Sequence, residues 1–305
     1  MTGQRPREMV NDMSTTSRPT GAHGPFRSAG ISGRALIVLV ALAVALVPAF
    51  IFAPRPVAAS MSGGGFGDQR NFIDSLSESF VDYWSSGDRN LPPGLKRLVE
   101  YWFYYHLVKA VIAAILLIVL IALGVLLWKA FLRAGGLGAG SRATLASAGA
   151  IVTALALFSL VTVEGNFQDA MAPFSSVMSM LPVHASHGEL ADTLHQVRQH
   201  LADYPDTGAR TPPALKVMVG DFSRFHAVRV VTATILAAVL IGMSVVSFRR
   251  IARTGASDRR TRRVFRSFGL LSALLAPAVI VVAWANVTVT ADPAPALLGF
   301  FKGGW

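Results

Sequence analysis

A chain of 305 residues that is 52% hydrophobic and only 15% charged, with a positive mean hydropathy, lies outside the composition of soluble domains. The net charge of +11 would suit a nucleic-acid partner in a soluble protein, but here the basic residues are gathered beside apolar runs, which ties them to membrane topology and argues against nucleic acid. Cysteine is absent, which excludes disulfides and thiolate metal sites.

Residues 1–34 are rich in Thr, Ser, Gly and Pro with little apolar content, and read as a disordered cytoplasmic tail. Residues 35–59 read as a first transmembrane helix retained as an anchor. The small residues of Val57-Ala58-Ala59-Ser60 also fit a signal peptide cut after Ala59, so both readings stand. Four further apolar runs follow, at 107–127, 144–163, 228–248 and 268–289, each about 20 residues long and without an internal acid, enough to cross a hydrocarbon core. Lys109 and Arg229 occupy only the ends of their runs, where long side chains can snorkel.

The tail up to Arg34, the loop with Lys129, Arg133 and Arg142, and the loop from Arg249 to Arg266 hold sixteen of the 28 basic residues but only three of the 17 acids. By the positive-inside bias these three regions face the cytoplasm. Five alternating helices then give a multi-pass plasma-membrane protein with its amino terminus inside and its carboxyl terminus outside. In the last of these loops Arg249, Arg250, Arg259, Arg260, Arg262 and Arg263 could also hold an anionic lipid headgroup.

The chain repeats itself at an offset of 120 residues. Pro92-Pro93-Gly94-Leu95-Lys96 aligns with Pro212-Pro213-Ala214-Leu215-Lys216, and His106, Lys109, Gly149, Asn166 and Pro173 align with His226, Arg229, Gly269, Asn286 and Pro293. One residue out of that register, Asp82-Tyr83, Gly87 and Arg89 meet Asp203-Tyr204, Gly208 and Arg210. The fold expected is therefore an all-α bundle of four core helices, built as two tandem helical-hairpin units at 60–181 and 182–305, plus the first helix. Each unit begins with an amphipathic outer helix, whose apolar face is formed by Phe72, Ile73, Leu76, Phe80 and Tyr83 in the first and by Leu190, Leu194, Val197 and Leu201 in the second. The paired prolines mark the starts of the long helices, because a proline in a first turn loses no hydrogen bond.

The duplication sets His106 with His226 and Asn166 with Asn286 at the outer ends of the paired helices, with Lys109, Arg229 and Glu164 at about the same depth. Converging there, they could enclose a ligand pocket in which a histidine acts as base and the asparagines orient a substrate, while the aromatics Tyr101, Trp102, Tyr104 and Tyr105 fit an interfacial belt. His184, His187, His195 and His200 have poor metal spacing, so no metal is expected, and nothing in the chain calls for a cofactor. Asp74, Glu78 and Asp82 read as a solvated helix face. No charge sits at a predicted helix centre, and neither a phosphate-binding glycine motif nor a nucleophile elbow is present, which disfavours pumps, ATPases and serine hydrolases.

At Val161-Thr162-Val163-Glu164-Gly165-Asn166 and at Phe222-Ser223-Arg224-Phe225-His226-Ala227-Val228-Arg229 the chain resembles the anthrone-oxygenase-like family of small four-helix membrane proteins. His226 stands where that family has asparagine and Ala227 where it has histidine. The resemblance implies cofactor-free oxygenation of a hydrophobic molecule, with Asn166, His226 and Arg229 at the site. From the residues themselves the expected function is non-catalytic, the binding of membrane lipids or a membrane-protein partner through the outer helices. A membrane enzyme at the outer face is the alternative.

Overall fold

The computed structural model describes residues 33–136, 138–204 and 211–304; the expected tail up to residue 32, and Gly208 and Arg210 of the repeat, lie outside the described residues. Each of the four later apolar runs sits inside a single helix that is far longer than the run. In chain order the helices are α1 (Gly33–Phe52), α2 (Pro54–Met61), α3 (Gln69–Ser86), α4 (Pro93–Arg133), α5 (Ala139–Met171), α6 (Pro173–Met178), α7 (Glu189–Ala202), α8 (Pro213–Arg253), α9 (Arg259–Ala291) and α10 (Pro293–Phe301), with no strand among the described residues. Five of them, α1, α4, α5, α8 and α9, are long and apolar enough to cross a membrane.

Prolines set the boundaries. α4 and α8 start at Pro93 and Pro213, the second proline of each pair, as the sequence predicts. The segment 35–59 is not one helix: α1 stops at Phe52 and α2 begins at Pro54, which has no N–H to continue the ladder. Pro173 and Pro293 likewise end α5 and α9 and start the short helices α6 and α10 after the non-helical residues Ala172 and Asp292. Asp68 caps α3 by accepting the Asn71 amide at 2.9 Å, and Gly87 closes it with a φ of 65°. Asp258 caps α9 by accepting the Thr261 amide at 3.0 Å, and the hydrogen bonds from Thr261 hold its carboxyl below the usual range.

α4 and α8 each have 41 residues, about 60 Å of helix, twice the roughly 30 Å of a hydrocarbon core. The surplus length lies at their amino-terminal ends, where α2, α3, α6, α7 and α10 gather round it into a cap. There the amphipathic faces meet. Phe72, Leu76, Phe80 and Tyr83 of α3, Leu194, Val197 and Leu201 of α7, Phe174 and Val177 of α6, and Leu297 and Phe301 of α10 are buried in one core with Leu95, Leu98, Leu215 and Met218 of the long helices. Full burial of such side chains stabilises by about 1.5–3 kcal/mol each, so this end holds together as a water-soluble domain does. Arg198 ties it further: Nε donates to the Phe301 carbonyl at 2.7 Å and Nη2 to the Val183 carbonyl at 2.6 Å.

Away from the cap the molecule is a stem. α4 packs along α5, α8 along α9, α5 touches α8, and α1 lies on α4. Its outward surface carries many exposed apolar side chains, among them Ile37, Ile118, Phe158, Leu274, Val281 and Trp284, of the kind lipid covers. Each hairpin has one close crossing made by glycine. A Cβ on Gly149 would lie 3.0 Å from the Trp128 ring, and one on Gly269 would lie 3.2 Å from Ser247 Cβ. At the end opposite the cap, the basic end, α4 turns into α5 and α8 into α9 through short connections, and the arginines read from the sequence as loop residues lie on the helix ends that flank them.

Candidate functional site

The four polar residues singled out by the duplication form two separate pairs, each inside its own hairpin. His106 of α4 meets Asn166 of α5 (Nδ1 to Oδ1, 2.9 Å), and His226 of α8 meets Asn286 of α9 (2.7 Å). Each asparagine donates its Nδ2 to the carbonyl one turn back, Thr162 at 2.8 Å and Val282 at 2.7 Å. That fixes Oδ1 as the atom facing the ring, so the neutral histidine carries its proton on Nδ1 and leaves Nε2 a bare acceptor. Both Nε2 atoms are buried without a hydrogen-bond partner among the described residues. The rings are boxed alike, His106 by Trp102 and Tyr105 (centroids at 4.6 and 5.1 Å) and His226 by Phe222 and Phe225 (4.6 and 5.5 Å).

The structure does not bring the two pairs together: no hydrogen bond or ion pair links one histidine–asparagine pair to the other among the described residues, and neither histidine lines the cavities described below. The reason is packing. Each pair closes its own helical hairpin, and at this depth the hairpins are joined by a clasp that has no counterpart at the 120-residue offset. Arg229 donates to Glu164 and to Gln168, Thr232 donates to Glu164 at 3.0 Å, and Gln168 Nε2 donates to the Phe225 carbonyl at 3.0 Å. Lys109 stands apart from this clasp, its Nζ over the Phe50 ring at 4.9 Å and the Tyr105 ring at 5.2 Å.

The polar residues that escaped the sequence reading include Gln168 of the clasp, Asp169 and Asp221. Asp169 lies 3.2 Å from His106 Nδ1 and accepts the Ser176 hydroxyl at 2.8 Å, while Ser176 accepts the Trp102 indole N–H at 2.8 Å. Asp221 accepts both the amide and the hydroxyl of Ser175, at 2.8 and 2.9 Å, which anchors α6 to α8. The aromatic belt is revised as well. Tyr101 is buried, packed on Phe66 and Phe72 in the cap (centroids at 5.1 and 5.9 Å) rather than laid along an interface. The acids Asp74, Glu78 and Asp82 lie on the exposed side of α3, and His184, His187 and His195 are exposed.

The basic end carries a second constellation. Between the hairpins a cleft of about 530 Å³ is walled by Trp128 and Phe131 of α4, Ala150 and Leu157 of α5, and Phe268 and Leu271 of α9, and Arg263 stands among its lining residues. It shares Phe131 and Arg263 with a smaller hollow of about 290 Å³ lined also by Arg142, Arg259 and Arg260. Arg260 Nη1 donates to the Phe131 carbonyl at 3.3 Å, so one of the four arginines also ties the hairpins together. No carboxylate lies within ion-pair distance of any of the four among the described residues.

The headgroup set expected from sequence is thereby divided. Arg259, Arg260 and Arg263, on the first turns of α9, face the hollow, and Arg142 joins them from the first turn of α5. Arg262 instead turns back on the carbonyls of Ile251 and Thr254, at 3.2 and 3.0 Å, and Arg250 lies over the Phe265 ring at 5.7 Å. Arg249 is exposed and lines neither space. The chain matches no protein-family model, no curated protein and no solved structure.

Proposed function

We propose that this chain is a non-catalytic, lipid-binding integral membrane protein that holds an anionic phospholipid between its two hairpins. The observation that carries the reading is the continuity of an apolar cleft with a hollow lined by four arginines and no acid. An acyl chain fits the first and a phosphate the second, with planar guanidinium groups able to grip phosphate oxygens in pairs. Binding through the outer helices is less well supported, since the apolar faces of α3 and α7 are buried within the cap.

The finer architecture belongs to the same reading. The two hairpins are tandem copies of one unit, supported by the equal lengths of α4 and α8 (41 residues) and of α5 and α9 (33) and by the matching histidine–asparagine pairs. The basic end faces the cytoplasm of a plasma membrane, with the cap and the carboxyl terminus outside; the support is the arginine bias of the loops. The arginine hollow then meets the leaflet where anionic lipids are held.

Native mass spectrometry of gently solubilised protein tests this. The expected spectrum carries a retained phosphatidylglycerol-type lipid, and combined Arg142→Gln, Arg259→Gln and Arg263→Gln substitution, sparing the structural Arg260, lowers its retention about tenfold or more. Bare monomer in the unaltered protein sinks the proposal.

One observation favours a second reading, a membrane enzyme acting on a hydrophobic molecule. Asp169 backs the proton-bearing Nδ1 of His106 while Nε2 stays bare, the arrangement of an oriented general base. The resemblance to the anthrone-oxygenase-like family would make the reaction a cofactor-free oxygenation. On this reading His106→Ala and His226→Ala each abolish turnover of a hydrophobic phenol without lowering the yield of folded protein, and unchanged turnover in both removes it.

A further inference from the structure

A second groove lies in the cap half of the stem, between α1, α4 and α5. It encloses about 330 Å³ and is lined almost wholly by apolar side chains, among them Val44, Val47 and Phe50 of α1, Leu116 of α4 and Phe158 of α5, with the Thr162 hydroxyl near its cap end. Its α1 wall runs from Ala43 to Ile51, about 12 Å of helix, close to the roughly 15 Å depth of one leaflet. That wall is loosely held: no residue of α1 is buried.

Lys109 sits one helical turn beyond Ala113, a lining residue, with its ammonium over the ring of Phe50, another. Its counterpart in the second hairpin, Arg229, is neutralised by Glu164. Lys109 has no carboxylate within ion-pair distance among the described residues and rests on two aromatic rings instead. A cation at the mouth of an apolar slot one leaflet deep selects an amphiphile with a single negative charge.

We propose that this groove binds a long-chain fatty acid, its one acyl chain between α1, α4 and α5 and its carboxylate on the Lys109 ammonium. One chain and one charge distinguish it from the four-arginine hollow, which suits a phosphate. The contrast in charge between Lys109 and the neutralised Arg229 is what makes the site belong to the first hairpin alone.

The test is titration of the full-length, detergent-solubilised protein with oleate, oleyl alcohol and phosphatidylglycerol, read by native mass spectrometry. Oleate is expected to bind at one equivalent and more tightly than the uncharged alcohol. Lys109→Gln should weaken oleate about tenfold while leaving phosphatidylglycerol retention intact. Val47→Trp, placed on a half-exposed position of α1, should fill the groove and weaken oleate without touching the cap. Oleate affinity unchanged in both variants, or oleyl alcohol binding as tightly as oleate, overturns the proposal.

Discussion

Tyr83 shows how much a single cap residue carries. Its side chain is wholly buried, its hydroxyl donates to the Ala214 carbonyl at 3.3 Å, and burial raises its pKa to about 12 from the ordinary 10.0. Because the folded state resists ionisation, its contribution to stability is complete below pH 10 and is lost as pH rises from 10 towards 12. Thermal unfolding in detergent across that window should show a falling midpoint, and Tyr83→Phe should flatten the part of the fall due to this group. An equal slope in the variant would mean that other groups carry the whole effect. At this scale the sequence was legible only where it repeats. His106 with Asn166 and His226 with Asn286 were found because the same spacing occurs twice. Gln168, Asp169 and Asp221 were not, because 120 residues away stand Thr288, Val289 and Tyr101, so no offset marks them. Their partners come from other helices, and no local pattern names such a partner.

Helix by helix, the hydropathy of each run located the part of the helix that meets lipid and missed the part that meets water. The first three turns of α4 carry Lys96, Arg97 and Glu100, which lower the window average, yet the helix runs through them without a break because Leu95, Leu98 and Tyr101 are buried in the cap. Apolar periodicity did identify the packed faces of α3 and α7, although not what they pack against. The glycine crossings make a sharper demand. At Gly149 a Cβ would press on the Trp128 ring, whose N–H is held by Thr153 at 3.1 Å, so the ring has little freedom to yield. Gly149→Val should destabilise the first hairpin by about 1–3 kcal/mol, the usual cost of overpacking, measured as a lower unfolding midpoint in detergent. An unchanged midpoint would mean that α4 and α5 separate freely.

For the molecule as a whole, the five apolar helices and the all-helical fold were legible from composition and run length alone. The arrangement of the two hairpins was not, because the contacts between them depend on residues that find no identical match at the 120-residue offset, Glu164 and Arg229 above all. Orientation is open to a direct measurement, since the protein has no thiol of its own. Ser86 at the end of α3 and Ser257 in the basic loop are both exposed. A cysteine placed at Ser86 should react with an impermeant maleimide on intact cells and one placed at Ser257 should not; the reverse pattern would invert the topology and move the arginine hollow to the opposite leaflet.

The great length of α4 and α8 means that each is one rod immersed in two media. Its lower half keeps its shape because hydrocarbon offers the backbone no rival hydrogen bonds, while its upper half depends on water driving greasy side chains together. Urea and harsh detergent therefore attack opposite halves of the same helix. Since the rod is continuous, a tilt imposed by lipid at one extremity is delivered to the assembly at the other.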